Sequence, residues 1–361
     1  MAGDGLTVYS REVTRGLDER GVEVVFFHHD PGSAGLDSVE LPSLRISQGW
    51  TIAGPGTRSR LRRALVEHRI DVVHVSLAFS SDDFGLPELC HGLGLPLVAT
   101  MHAPFDVRLT WWGGLSHVLY RIYAALLCRC DRVIVFGAAQ ARLLESMGVP
   151  SGRLRVIPNG VDVGHFRPGS STFAHDLGAE RLFVYLGRLD AEKNVALLID
   201  AFLDSSPPPT LRLAVAGSGR ERDHLERRHR DGRVAFLGLI TEERRRVALL
   251  RAAEAFFLPS SIEGLSLALL EAMACGACPV ATDVGCDGDV VRGAGITLDP
   301  LDLAGELGRA MTRLIDSPAL AAELGRLARQ RVLARYSLRA NLDTLLDVYR
   351  ELVPARRLQP V

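Results

Sequence analysis

Arg188 and Lys193 stand five residues apart in Gly187-Arg188-Leu189-Asp190-Ala191-Glu192-Lys193-Asn194, between the apolar run Leu182 to Leu186 and the helical pattern Val195 to Leu203. Two cations at the carboxyl end of a strand are placed to meet an anion in the crevice beyond a parallel sheet. Lys193 carries extra weight, because it is the only lysine in 361 residues, against 41 arginines. A lysine without a specific role has little reason to persist in so arginine-rich a chain, whereas a compact ammonium facing an anion has one. The same scarcity removes whole classes of chemistry. A phosphate-binding P-loop, a pyridoxal Schiff base or a kinase strand lysine would each have to use Lys193, and its neighbours fit none of them.

Downstream, Pro259 to Met273 places Glu263 and Glu271 eight residues apart, with Gly264 at a sharp turn and a helix opening near Ser266. The backbone N–H groups of Gly264, Leu265, Ser266 and Leu267 then form a helix N-terminus, a ready anion site. Glu271, a little over one turn into that helix, offers a carboxylate able to accept both hydroxyls of a ribose. Gly217-Ser218-Gly219 follows another strand and admits close backbone approach, although Arg222 stands where the third glycine of a dinucleotide fingerprint would be. His102, in Thr100-Met101-His102-Ala103-Pro104, ends a strand of the first half and faces the same crevice if the halves oppose. Ser266 sits in a Gly-Leu-Ser-Leu-Ala elbow, but no histidine follows His229, so a hydrolase triad in the order Ser, acid, His cannot form. Asp287-Gly288-Asp289 has Asp-x-Asp spacing, and in this architecture it is not expected to hold a metal.

The elements that must position these groups follow from pattern. A chain of 361 residues with 47% hydrophobic content supports two cores, and 42 basic against 43 acidic residues gives no global reason for a nucleic-acid partner. No run of 18 apolar residues suggests a membrane span, and the start lacks a signal-peptide pattern. The six cysteines suit buried thiols in a reducing cytoplasm. Short apolar runs alternate with helical patterns, which predicts parallel α/β architecture. Strands are expected at 22–27, 71–75, 97–101, 132–135 and 154–157, then at 182–186, 211–216, 234–237, 255–258 and 279–282. Pro158-Asn159-Gly160-Val161-Asp162 and the polar stretch to Leu177 read as a linker, and three helices close the chain at 303–315, 318–333 and 338–352. Gly3-Asp4-Gly5 leads into a helix, Leu6 to Arg20, with no strand before it, so about ten residues carrying a first strand are expected to be missing upstream.

Ile157 to Asp162, Gly187 to Asn194, Gly217 to Gly219 and the Glu-x7-Glu stretch from Glu263 to Glu271 together resemble the retaining family-4 glycosyltransferases of the GT-B fold, the relatives of glycogen synthase and phosphatidylinositol mannosyltransferase. The resemblance covers almost the whole chain. It implies two facing Rossmann-like domains: residues 1–163 for the acceptor, with its first strand missing, residues 164–337 for the nucleotide-sugar donor, and a helix, 338–361, crossing back onto the first domain. It further implies that Arg188 and Lys193 hold the donor diphosphate, Glu271 the ribose, Glu263 the transferred sugar and His102 its outer hydroxyls. Gly5 brings backbone N–H groups to the phosphate, and the turn at Gly264, Leu265 and Ser266, with Gly217, completes the donor site. The donor would be UDP- or GDP-linked, the acceptor a small molecule, natural product or lipid-linked hydroxyl, and no metal or other cofactor is implied. Gly285-Cys286-Asp287-Gly288-Asp289 departs from the family, which commonly has two glycines and a Pro-Glu pair there. A nucleotide-sugar epimerase and a noncatalytic nucleotide-sugar binder are the alternatives. Arg58, Arg60, Arg62, Arg63 and Arg69 read first as a solvated helix face, and otherwise as a contact for anionic lipid on the inner membrane face or for a phosphorylated acceptor. Trp50, Trp111 and Trp112 read equally as an acceptor floor or as core.

Overall fold

The computed structural model describes residues 5–28, 38–41, 43–47, 50–77, 80–81, 83–105 and 111–353. The chain opens with α1 (Gly5–Asp18) and two short parallel strands, β1 (Phe26–His28) and β2 (Ser38–Glu40). An antiparallel pair, β3 (Ser43–Ser47) and β4 (Trp50–Ala53), leads into α2 (Thr57–Glu67). A parallel sheet follows from β5 (Val73–Leu77), β6 (Leu97–Met101), β7 (Arg132–Val135) and β8 (Leu154–Val156), adjacent in chain order. Its connections carry α3 (Leu86–Leu93), α4 (Trp111–Leu127) and α5 (Ala138–Ser146).

After α6 (Phe173–Asp176) comes a second parallel sheet of β9 (Arg181–Leu186), β10 (Leu211–Ala216), β11 (Val234–Gly238), β12 (Ala255–Leu258), β13 (Cys278–Thr282) and β14 (Ile296–Leu298). Helices α7 (Val195–Asp204), α8 (Arg222–Arg228), α9 (Glu243–Ala252), α10 (Leu267–Cys275) and α11 (Asp287–Val291) connect the strands, and α12 (Leu303–Asp316), α13 (Pro318–Arg335) and α14 (Leu338–Leu352) close the chain. The strands lie in the order β11-β10-β9-β12-β13-β14, so the winding reverses between β9 and β12. In such sheets the crevice at the carboxyl ends of the reversing strands receives ligands. Every residue of β6, β12 and β13 is buried, as continuous apolar runs covered by helices on both faces require.

The two halves are stitched by two chain segments lying side by side. The Val161 N–H donates to the Tyr336 carbonyl at 2.9 Å, and the Leu338 N–H returns to the Val161 carbonyl at 3.0 Å. A Cβ on Gly160 would stand 2.5 Å from the Leu338 Cα, so the approach needs glycine. Helix α14 then lies on α1, with Leu342, Leu345, Val348 and Tyr349 packed against Val13, Leu17, Val98 and Ile134.

Several expectations shift. The strand expected at 22–27 forms only at its end, because Gly21 turns left-handed at φ 77° and the Val22 N–H is taken by the Leu17 carbonyl in the helix cap. Strand β14 and the β3–β4 pair were not expected from the sequence. The side chains of Trp50, Trp111 and Trp112 lie outside the described residues. Cys275 and Cys278 are buried, and burial pushes both thiols up to about 12, which fits inert core residues. Among the described residues, no helix is long and apolar enough to cross a membrane.

Candidate active site

The loop after β9 and the loop after β12 meet at the reversal point and are tied together through Asn194. Its backbone is left-handed at φ 52°, and its amide donates to the Pro259 carbonyl and to Ser261 Oγ, both at 2.8 Å. The Ser261 N–H closes the clamp on the Glu192 carbonyl at 2.8 Å. Asn194 was not singled out in the sequence; a residue able to take a left-handed turn just before a helix was the available signal. On the other side, Gly217 and Gly219 let the turn after β10 lie directly on the first loop. A Cβ on Gly217 would stand 1.8 Å from the Gly187 carbonyl oxygen, and one on Gly219 would stand 2.3 Å from that of Leu189. Gly217 therefore supports the Arg188 loop by close packing.

This scaffold places Lys193, only 9% exposed, with its ammonium on Glu263 Oε1, which also accepts from Ser260 Oγ at 2.9 Å. Arg188, half exposed, is bonded to Asp190 and, at 2.7 Å, to Glu192. The cations thus do not stand free as the sequence alone suggested. A buried ammonium needs a counter-charge in a low-dielectric site; the loop after β12 supplies it for Lys193, and the loop after β9 supplies the carboxylates bonded to Arg188. An incoming diphosphate would meet a paired set that it must share or rearrange.

Ser266 caps α10, its Oγ accepting the Leu269 N–H at 3.3 Å. Its own N–H, expected among the anion donors, is already bonded to Asp287 Oδ1 at 2.9 Å. The Leu265 carbonyl accepts from the Asn159 amide at 2.8 Å, which fastens the turn to the segment joining the halves. Gly264 packs against the first half, where a Cβ on it would lie 3.5 Å from the His102 carbonyl oxygen, and the Phe105 N–H donates to the Glu263 carbonyl at 3.2 Å.

His102 is brought to the same junction. Its ring is flanked edgewise by Tyr9 of α1 at 4.6 Å and by Phe136 at 5.1 Å, and its Nε2 is buried without a hydrogen-bond partner. Burial, with His74 nearby, pushes its protonation down to about 3, so the imidazole is neutral at ordinary pH. A buried neutral nitrogen with no protein partner is suited to a substrate hydroxyl.

Glu271 lies apart from this cluster, one turn into α10, and is 5% exposed. It faces Arg246 of α9 at 3.4 Å and lines a cavity of about 30 Å³ with Tyr9, Glu12, Glu243 and Phe166. Burial pushes its carboxyl up to about 7; Arg246 opposes that shift, and Glu12 and Glu243 add to it. Gly5 is the first residue of α1. The structure therefore joins Lys193, Glu263, Gly264 and His102 at one junction, sets Arg188 at its edge and leaves Glu271 in a neighbouring pocket.

The family described as Glycosyltransferase Family 4 matches residues 3–165, and that described as Glycosyl transferases group 1 matches residues 180–317. The chain is 33% identical over 341 residues to a glycogen synthase of Mycobacterium tuberculosis, covering 91% of this chain and 80% of that protein. It is 30% identical over 367 residues to a D-inositol 3-phosphate glycosyltransferase of Pseudarthrobacter chlorophenolicus, covering 90% of this chain and 85% of that one. Among solved structures, Anabaena HepE in complex with UDP and glucose superimposes with a TM-score of 0.78 at 18% identity, covering 97% of this chain and 96% of that one. Sucrose-phosphate synthase from Thermosynechococcus elongatus gives 0.77 at 23% identity, covering 97% and 94%.

Proposed function

The chain belongs to the family-4 glycosyltransferases, built on the GT-B fold, and from that premise we propose that it transfers a sugar from a UDP- or GDP-linked donor to an acceptor hydroxyl with retention and without a metal. The observation that carries the reading is the Lys193–Glu263 pair at the β9/β12 reversal, with Arg188 beside it. Departure of a nucleoside diphosphate builds negative charge on the leaving oxygens. Cations held there, once shared with the diphosphate, and a helix N-terminus aimed at it stabilise that charge. In this reading Arg188 and Lys193 hold the diphosphate, with Gly5 and the turn at Gly264 and Leu265 lending backbone N–H groups, while Ser266, its own N–H held by Asp287, caps the helix behind them.

Glu263 contacts the transferred sugar, neutral His102 bonds its outer hydroxyls through the unpartnered Nε2, and Glu271 receives the ribose. With the acceptor attacking from the face the phosphate leaves, the departing phosphate takes the acceptor proton and the anomeric configuration is kept. The glycogen synthase and inositol-phosphate relatives make α-glucans and inositol phosphates the first acceptors to try. Release of UDP or GDP that depends on acceptor supports transfer. An epimerised sugar formed from donor alone would replace it by the epimerase reading.

A cytoplasmic location on the inner membrane face fits α2, which exposes Arg58, Arg60, Arg62 and Arg63 together with Val66, the last 59% exposed. Anionic vesicles are expected to sediment the protein in low salt and release it in high salt, and a triple R58E/R62E/R63E variant is expected to stay in the supernatant. Equal sedimentation of variant and wild type would remove α2 as the contact.

A further inference from the structure

Asp287 opens α11 and is completely buried. Its Oδ1 accepts the Ser266 N–H at 2.9 Å, and Oδ2 has no partner. One residue earlier, the Cys286 N–H donates to the Gly264 carbonyl at 2.8 Å. Gly285 is left-handed at φ 56°, and a Cβ there would stand 2.2 Å from the Glu263 carbonyl oxygen. The turn that carries Glu263 is therefore backed along its length by the loop from Gly285 to Asp287. Among the described residues no guanidinium or ammonium is bonded to Asp287; the nearby Lys193 bonds Glu263, and Arg292 bonds Asp283 and Asp289.

We propose that Asp287 is a positioning residue, a latch that fixes the turn bearing Glu263 by receiving the Ser266 N–H. The proposal rests on the reading of Glu263 and Lys193 as donor-site groups. Burial disfavours the ionised form and Glu263 adds repulsion, while the Ser266 N–H and Lys193 oppose them; the net direction is well above the usual carboxylate range. The remaining carboxylates of its own segment, Asp283 and Asp289, are both bonded to Arg292. A neutral acid keeps a carbonyl oxygen for Ser266 and adds no negative charge where a diphosphate must bind. Losing that oxygen would strand a backbone N–H and loosen the turn.

The test compares Asp287→Asn and Asp287→Ala with wild type for kcat and donor KM between pH 6 and 9. Asparagine offers the same acceptor without charge, so D287N is expected to stay within about three-fold of wild type, and D287A to lose on the order of ten-fold in kcat/KM. The wild-type donor KM is expected to rise at the alkaline end, and that of D287N to stay flat. D287N falling as far as D287A, or D287A matching wild type, would overturn the latch. Infrared spectra of the substrate-free protein at pH 7 give a second reading. Buried Glu271 contributes a protonated-carboxyl band to both proteins; a further component present in wild type and lost in D287N supports the neutral acid, and identical bands in the two overturn it. Failure of wild type to bind any UDP- or GDP-sugar would instead overturn the donor-site reading.

Discussion

Lys193→Ala is expected to lower kcat by about 10²- to 10³-fold, the usual loss when one preorganised charge facing a transition state is removed. Lys193 is 9% exposed and its ammonium is bonded to Glu263, so its deletion also leaves the Glu263 carboxylate without its cation beside buried Asp287. Both effects oppose a leaving diphosphate, and kcat and kcat/KM should fall together. Lys193→Arg is expected to rescue poorly. A planar guanidinium needs more room than a buried ammonium on a flexible stem, and the only lysine among 42 basic residues is the one in this pocket. Steady-state kinetics at saturating donor, with the melting temperature as a folding control, check both variants. A turnover near wild type in K193A would remove Lys193 from the chemistry.

Glu271→Gln is expected to separate stability from donor binding. The carboxyl is buried with a proton affinity raised to about 7, so the folded protein holds a proton that the unfolded chain releases near pH 4.5. Its contribution to stability is complete below the unfolded value and is lost as pH rises through about 7. Glutamine is neutral throughout, so E271Q should gain on wild type as pH rises, by at most on the order of 3 kcal/mol by pH 8 to 9. Arg246 loses its carboxylate partner in the variant, which reduces the gain. The donor should bind on the order of ten-fold less tightly, because an amide accepts through one oxygen where a carboxylate accepts both ribose hydroxyls through two. Urea midpoints and donor KM across pH 5 to 9 read the two effects separately. Parallel stability profiles, or an unchanged KM in E271Q, would contradict this role.

Much of the second half was legible in the sequence, because a fully buried parallel strand is a continuous apolar run: β10 and β12 fall where the runs at 211–216 and 255–258 place them. Lys193 was found through its rarity, Glu263 and Glu271 through spacing beside a helix start. What stayed hidden depends on long-range packing. The pairing of Arg188 with Asp190 and Glu192, the edgewise setting of His102 between Tyr9 and Phe136, and the approach of Glu12 to Glu271 all join residues by folding rather than by local pattern. Asp287-Gly288-Asp289 shows only its Asp-x-Asp spacing in the sequence, yet Asp287 is completely buried, where the neighbouring loop supplies a backbone donor that the spacing does not announce. Strand β14, three residues long, is too short for its alternation to be told from a loop.

Transfer itself is tested most directly by following the anomeric proton during a single incubation of wild type with a UDP- or GDP-sugar and an α-glucan or inositol phosphate acceptor. The expected result is loss of the donor signal and growth of a glycosidic signal of the same configuration, dependent on acceptor and absent with K193A. A product of inverted configuration would contradict retention, and a donor left intact with acceptor present, or epimerised without it, across the nucleotide sugars tried, would contradict transfer from the Lys193–Glu263 site.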